Sequence, residues 1–87
     1  MGIVVNALKR HRVHRGATKA ALARDSRVHA DTITAIETYR TLTPHVDTVV
    51  RLAVALGVPP AQLVEEIEAD AAAERGRRMG VVRGRRA

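Results

Sequence analysis

The side chains that could do chemistry in this chain are mainly cationic. It carries fifteen Lys and Arg residues against nine Asp and Glu residues, a formal net charge of +6. This charge is unevenly divided, with +5 on residues 1–64, −5 on residues 65–74 and +6 on residues 75–87. A basic body with a basic end indicates a polyanionic partner, of which nucleic acid is the usual one. The alternative is a basic surface without such a partner.

Other kinds of site find little support among the residues. His11 and His14 lie three positions apart, but no third ligand is spaced to join them and the chain has no cysteine. The sequence also lacks a paired nucleophile and base, paired acids and a phosphate-binding glycine loop. We therefore expect no metal, no cofactor, no small-molecule ligand and no enzymatic activity.

Length and composition limit the fold. Eighty-seven residues suffice for one domain with a thin core. The apolar residues are almost all Val, Leu, Ile and Ala, with Tyr39 the only aromatic residue, which predicts closely packed short helices and an all-α fold. The longest apolar run near the N-terminus, residues 3–5, is too short for a signal peptide or a membrane span. We expect a soluble, cytoplasmic protein without membrane contact.

A first helix is predicted over residues 3–15. Gly16 ends it, and Asn6 is an alternative N-cap that would delay its start to Ala7. Three apolar side chains are expected to point inward: Val4 or Val5, Leu8 and Val13.

Two more short helices follow. Thr18 is a good N-cap for a second helix that ends near Ser26, and a third helix is predicted over residues 30–38. On the third helix, three residues are expected on the buried side: Ile33, Ile36 and Glu37.

A fourth helix is predicted to start at Pro44 and to stop at Gly57. Its apolar residues recur at helical spacing: Val46, Val49, Val50, Ala53 and Val54. A fifth helix runs from Pro60 to about Arg75, with Gly76 as its terminator. The Arg- and Gly-rich tail after Gly76 is expected to be disordered without a partner.

Several residues of these helices occur together at characteristic spacings: Gly16, Thr18, Leu22, Ala23, Val28, Thr32, Ile33, Ile36, Glu37, Pro44, Arg51, Leu52, Ala53, Ala55, Leu56, Gly57, Val58 and Leu63. In these positions the chain resembles the Cro/CI-type (XRE-like) helix-turn-helix regulators over residues 3–64. The resemblance implies a five-helix, lambda-repressor-like DNA-binding domain in residues 1–64. Residues 65–87 then form a C-terminal extension, an acidic helix continuation followed by the basic tail.

The resemblance places the third helix in the major groove of DNA, where it would read base edges. Five residues are the candidates: Ala30, Asp31, Thr34, Ala35 and Thr38. Asp31 could accept from a cytosine amino group, whereas a plain helix-dipole role is equally compatible with its position. Because the set lacks Arg, Asn and Gln, direct readout is expected to be modest.

The resemblance implies a phosphate contact at the start of the second helix, and further contacts are expected in the turn and after the third helix. The candidates are Lys19, Arg27, Arg40, Thr41 and Thr43. The tail repeats an Arg-Gly-Arg-Arg pattern and adds further DNA-contact candidates: Arg75, Arg77, Arg78, Arg83, Arg85 and Arg86. These would bind either the minor groove or phosphates in general, or be held by the acidic residues 65–74 when DNA is absent.

The resemblance also implies a buried ion pair between Arg12 and Glu37. Three residues depart from the family pattern: Arg27 where glycine is usual in the turn, Ser26 in place of an apolar residue, and Tyr39 where glycine commonly follows the third helix. A non-glycine residue in left-handed geometry costs about 1–2 kcal/mol, so the alternative is a reshaped turn.

Taken together, the sequence predicts a sequence-specific double-stranded DNA-binding regulator, more readily a repressor than an activator. The resemblance also implies a homodimer on DNA, and Val64, Ile67 and Ala71 of the fifth helix are the candidate interface. The alternatives are an architectural DNA-binding protein in which the tail dominates binding, and an antitoxin-type protein whose fifth helix and tail bind another protein.

Overall fold

The first helix begins where Asn6 can cap it. The computed structural model describes residues 6–86, with side chains for residues 6–79. Helix α1 spans Ala7–Arg15, the Asn6 side chain accepts a hydrogen bond from the Lys9 amide (2.9 Å), and Gly16 ends the helix at φ 76°. The start at Ala7 is therefore the correct alternative. The predicted inward position at Val4 or Val5 lies outside the described residues.

Helices α2 and α3 span Lys19–Ser26 and Ala30–Glu37. Thr18 caps α2 by accepting from the Ala21 amide at 3.0 Å. Sequence reasoning did not identify the cap of α3, which is His29: its ring nitrogen Nδ1 accepts from the Asp31 amide at 3.1 Å.

Helices α4 and α5 depart from the predicted boundaries. Helix α4 spans Val46–Leu56, so Pro44 lies in the preceding loop and does not start the helix. Helix α5 spans Pro60–Arg86, which contradicts both a stop at Gly76 and a disordered tail. Glu74 forms ion pairs with Arg77 (2.6 Å) and Arg78 (3.0 Å) across this point, and such i,i+3 and i,i+4 pairs offset part of the cost of a helical glycine.

The core is aliphatic and drawn from all five helices. Its largest fully buried side chains are Leu8, Leu22, Ile33, Leu52 and Leu63. On α3, Ile33, Ile36 and Glu37 are buried as predicted.

Val13, which was predicted to face inward, is exposed (58%). Two valines of the apolar pattern predicted for the fourth helix are also exposed, Val46 (59%) and Val54 (67%). At about 100° per residue, Val13 lies about 140° around α1 from Leu8, on the opposite face. Val54 is displaced to a similar degree from the buried stripe of α4, which is Val49, Leu52, Ala53 and Leu56.

Helix α5 is joined to α1 by two carboxylates. Asp70 accepts a hydrogen bond from the Ala7 amide (2.6 Å), so an acid on α5 lies at the positive end of α1. Glu66 lies 2.8 Å from the His11 ring, and this hydrogen bond lowers the pKa of the Glu66 carboxyl. The described chain is thus an all-α bundle of five helices, with no strand in residues 6–86.

Candidate nucleic-acid interface

The turn between α2 and α3 is held by Arg27 and Ser26. Arg27 adopts the left-handed conformation (φ 61°, ψ 31°), so the turn keeps the geometry that glycine usually provides. The buried Ser26 hydroxyl donates to the Leu22 carbonyl (2.6 Å) and accepts from the Val28 amide (3.2 Å). Where the family pattern has an apolar residue, Ser26 therefore makes two local hydrogen bonds. These bonds hold the turn from which α3 starts.

Packing of one side of α3 leaves its other side open. Ile33 and Ile36 are buried, while Asp31 is exposed and Ala30, Thr34 and Ala35 are half-buried. Thr38 is exposed, but its hydroxyl donates to the Thr34 carbonyl at 2.7 Å and so is used at the end of the helix. The first two turns of α3 are therefore the part available to a partner.

Lys19 lies against this open side. Its ammonium group donates to the Thr34 hydroxyl at 3.2 Å, which brings the start of α2 next to the middle of α3. A phosphate candidate and a base-reading candidate thus meet in space, although they are fifteen positions apart in the chain.

The α3–α4 loop, residues 38–45, lies on the other flank of α3. Arg40 donates to the Asp31 carbonyl at 3.5 Å, and the side chains of Arg40 and Thr43 are exposed. A groove of about 350 Å³ separates the start of α3 from the start of α4, and its lining includes Asp31, Ala35, Thr41, Thr43, His45 and Thr48. Sequence reasoning missed Thr48, which carries no signal apart from its place in the first turn of α4.

The start of α4 borders this groove through His45 and Thr48. Its N-cap, His45, makes no side-chain hydrogen bond to the helix. The first amides of an α-helix have no partner within the helix and carry the positive end of its dipole, which favours anions. Asp47 in the same turn opposes such binding, but its carboxylate is paired with Arg51 at 3.2 Å.

Arg27 does not join this group. It lines a separate groove with Arg51, Val50 and Val54, at the end of α2 and along α4. Of the five phosphate candidates, the structure groups four around α3 and its groove: Lys19, Arg40, Thr41 and Thr43.

Three arginines of the predicted tail, Arg75, Arg77 and Arg78, have partners within the chain. Arg77 and Arg78 both pair with Glu74, and the hydrogen bond from Arg77 is the largest cause that lowers the pKa of the Glu74 carboxyl. Arg75 donates to the Leu42 carbonyl at 3.3 Å and Arg78 to the Tyr39 carbonyl at 3.2 Å. The side chains of Arg83, Arg85 and Arg86 lie outside the described residues.

Arg12 and Glu37 form a two-point ion pair that joins α1 to the end of α3. Arg12 Nε donates to Glu37 Oε2 at 2.7 Å and Nη2 to Oε1 at 3.0 Å, and Nη1 donates to the Ala17 carbonyl at 3.0 Å. The hydrogen bond to Glu37 raises the pKa of Arg12. Removal of one partner would leave a buried charge, at a cost of about 3–5 kcal/mol.

The three residues predicted to form a dimer interface differ in how far they are buried within their own chain. Ile67 (6% exposed) and Ala71 (4%) are packed in their own chain, whereas Val64 is only half-buried. All three line an apolar groove of about 330 Å³ between α5 and the start of α4, whose rim includes Val46 and Arg75. The free surface at this place is therefore the groove and its rim, and not the α5 side chains alone.

Among the described residues, no group of three His, Cys, Asp or Glu side chains is arranged to hold a metal ion, and His11 is bonded to Glu66. No helix in the described part of the chain is long and apolar enough to cross a membrane.

The chain matches a known protein family. The family model described as a helix-turn-helix domain matches residues 5–66, which include α1 to α4 and the start of α5. No curated protein and no solved structure gave a significant match. Since the matched segment covers most of the chain and contains the turn and α3 described above, the chain belongs to the helix-turn-helix domain family, as an XRE-like DNA-binding regulator.

Proposed function

We propose that this regulator is a sequence-specific repressor that acts by occupying its operator, with α3 in the major groove. The observation that carries the proposal is the meeting of three elements on one side of the molecule. The open side of α3 lies between Lys19, bonded to Thr34, and the α3–α4 loop, where Arg40 reaches the Asp31 carbonyl. A helix flanked by cationic and polar side chains suits a groove bordered by phosphates.

The side chains on α3 favour limited base readout. Asp31 can accept from a cytosine amino group, Thr34 can bond to several base edges, and Ala30 or Ala35 can contact a thymine methyl group. Lys19 donates to Thr34 in the free protein and would exchange this bond for a phosphate. Much of the affinity therefore comes from phosphate contacts, which are salt-dependent.

The test begins with selection of bound sequences from random double-stranded DNA, followed by titration of the selected operator at several salt concentrations. Lys19→Ala and Arg40→Ala should each weaken binding and reduce the slope of log K against log salt by about 0.9, the value for one lost phosphate contact. Arg24→Ala removes one charge from the far end of α2 and is the matched control.

Two results would contradict the proposal. Failure of any sequence to emerge above random DNA excludes a sequence-specific regulator. An unchanged salt slope in both variants excludes Lys19 and Arg40 as phosphate contacts.

The proposal includes a homodimer on DNA, supported by the apolar groove between α5 and α4. Val46 is 59% exposed at its rim, and Val64 lines it beside Ile67 and Ala71. An exposed valine beside an apolar groove is the kind of surface that a second copy would cover.

Val46→Glu places a charge at this rim without disturbing the core. With operator present, the mass measured by light scattering should correspond to two bound protomers for the unchanged protein and to one for Val46→Glu. The melting temperature of the free Val46→Glu protein should change little. Val54→Glu, at another exposed valine that lies away from the groove, is the control. A Val46→Glu protein that still binds as a dimer would exclude this groove as the interface.

A further inference from the structure

Two arginines of α5 are bonded to the loop that carries the phosphate candidates. Arg75 Nη2 donates to the Leu42 carbonyl at 3.3 Å, and Arg78 Nη2 donates to the Tyr39 carbonyl at 3.2 Å. These two carbonyls lie on either side of Arg40 and Thr41. Helix α5 therefore contacts both ends of the segment from which Arg40 points to solvent.

Glu74 directs one of these arginines. Its carboxylate accepts from Arg78 Nε at 3.0 Å, which leaves Nη2 of the same side chain for the Tyr39 carbonyl. The Glu74 side chain is only 19% exposed, so the pair is partly shielded from water. Since an arginine is planar and donates in fixed directions, the pairing with Glu74 orients the group that contacts the loop.

The loop needs such support because its own geometry is unfavourable. Tyr39 adopts φ 61°, a left-handed conformation that side chains other than glycine rarely take. Within the loop, the Arg40 and Thr41 amides donate to the Ala35 carbonyl at 2.9 and 3.2 Å. A strained residue persists where the surrounding structure holds it, and here two of the holding contacts come from α5.

We propose that Arg75 and Arg78 are positioning residues for DNA binding: they hold the α3–α4 loop in its binding conformation before DNA arrives. The inference rests on the proposed function, because the held loop affects DNA binding through Arg40, Thr41 and Thr43. It assigns Arg75 and Arg78 of the first Arg-Gly-Arg-Arg repeat to the protein's own loop and not to the DNA. Pre-ordering the loop removes a cost that binding would otherwise carry.

The first test uses the free protein, so that it is independent of DNA binding. In Arg75→Ala and Arg78→Ala, hydrogen exchange at the amides of residues 39–41 should become about 3- to 10-fold faster, as expected for the loss of one net hydrogen bond. Exchange in the middle of α4 should stay unchanged, which separates loop release from general destabilisation. Lys9→Ala, an exposed cation on α1, is the charge-matched control. Unchanged exchange at residues 39–41 would overturn the inference.

The second test is a double-mutant cycle on the selected operator. Arg75→Ala should weaken binding about 3- to 10-fold in the otherwise unchanged protein, and much less in an Arg40→Ala, Thr43→Ala background, because it acts through those residues. Additive effects, with the salt slope reduced by about 0.9 for Arg75 itself, would show a direct phosphate contact and overturn the inference. If no DNA is bound at all, the proposed function fails while the exchange result still decides the loop's dependence on α5.

Discussion

Two residues of the chain occupy left-handed backbone positions where glycine is the usual choice. Arg27 and Tyr39 both have φ 61°, but their surroundings differ. Arg27 is exposed, whereas Tyr39 is half-buried and its hydroxyl oxygen is buried. Burial of the Tyr39 hydroxyl is the largest cause that raises its pKa. The two residues thus have the same backbone strain. Burial of the side chain offsets it at Tyr39 but not at Arg27.

Replacement by glycine should therefore have opposite effects at these positions. Arg27→Gly relieves about 1–2 kcal/mol of backbone strain in the folded protein. The greater conformational freedom of glycine in the unfolded chain costs about 0.5–1 kcal/mol. The free energy of unfolding should therefore rise by about 0.5–1 kcal/mol. Tyr39→Gly gains the same relief but loses the burial of a ring, and we expect a net loss of about 1–2 kcal/mol. Urea midpoints measure both, and loss of stability in Arg27→Gly would show that its side chain contributes to the turn.

At the scale of the helices, the sequence predicted best where a single residue type decides a boundary. Asn6, Thr18, Gly16 and Gly57 act locally, through a hydrogen bond or a left-handed conformation, and each lies at a helix end in the structure. The prediction that the fourth helix starts at Pro44 was wrong, because a residue that is favourable in the first turn of a helix is equally compatible with a loop. Pro44 lines the grooves on both sides of the α3–α4 loop, so tertiary packing decides its place.

The candidate DNA-binding site was also predictable from the sequence only in part. The open side of α3 follows from the burial of Ile33 and Ile36, which helical spacing predicts. The bonds of Arg75 and Arg78 to a loop more than thirty residues away depend on where α5 lies, and no local pattern encodes that position. The continuation of α5 beyond Gly76 was missed for a related reason, since ion pairs at Glu74 offset the preference of glycine for a helix end.

The contact between α1 and α5 should make stability depend on pH through Glu66. Its folded pKa is lowered below 4.5, chiefly by the hydrogen bond with His11, so its contribution is fully present above about pH 4.5 and is lost as the pH falls through the lower, folded value. Glu66→Gln should therefore melt at a lower temperature than the unchanged protein at pH 5.5, with the difference shrinking toward pH 3. Glu65→Gln, an exposed acid on the same helix, is the control. A constant difference between pH 5.5 and pH 3 would exclude the ionised contact.

At the scale of the whole molecule, the long helix α5 carries the arginines that follow residue 74. The molecule measures 47 × 26 × 21 Å, and the 27 residues of α5 account for about 40 Å of helix at about 1.5 Å per residue. Of the six arginines after residue 74, the three whose side chains are described are bonded to Glu74 or to the α3–α4 loop. The other three are therefore the ones left to test as direct contacts with a polyanion.

Two truncations should separate these groups of arginines. A chain ending at Met79 keeps the bonds to the loop and loses Arg83, Arg85 and Arg86. We expect its affinity for operator and for random DNA to fall by the same factor, with a salt slope reduced by at most about 2.7, or about 0.9 per lost phosphate contact. A chain ending at Glu74 also loses Arg75 and Arg78, and its preference for operator should fall as well, because a mobile loop no longer fixes the register of α3 on the duplex.

Titration of both chains against selected and random DNA measures this ratio directly. The 87-residue chain with Arg83→Ala, Arg85→Ala and Arg86→Ala is the control for the shortened helix, and it should match the chain ending at Met79. If that chain already loses its preference for operator, the last arginines take part in recognition. If both truncated chains keep the preference, the loop does not need α5 to hold α3 in register.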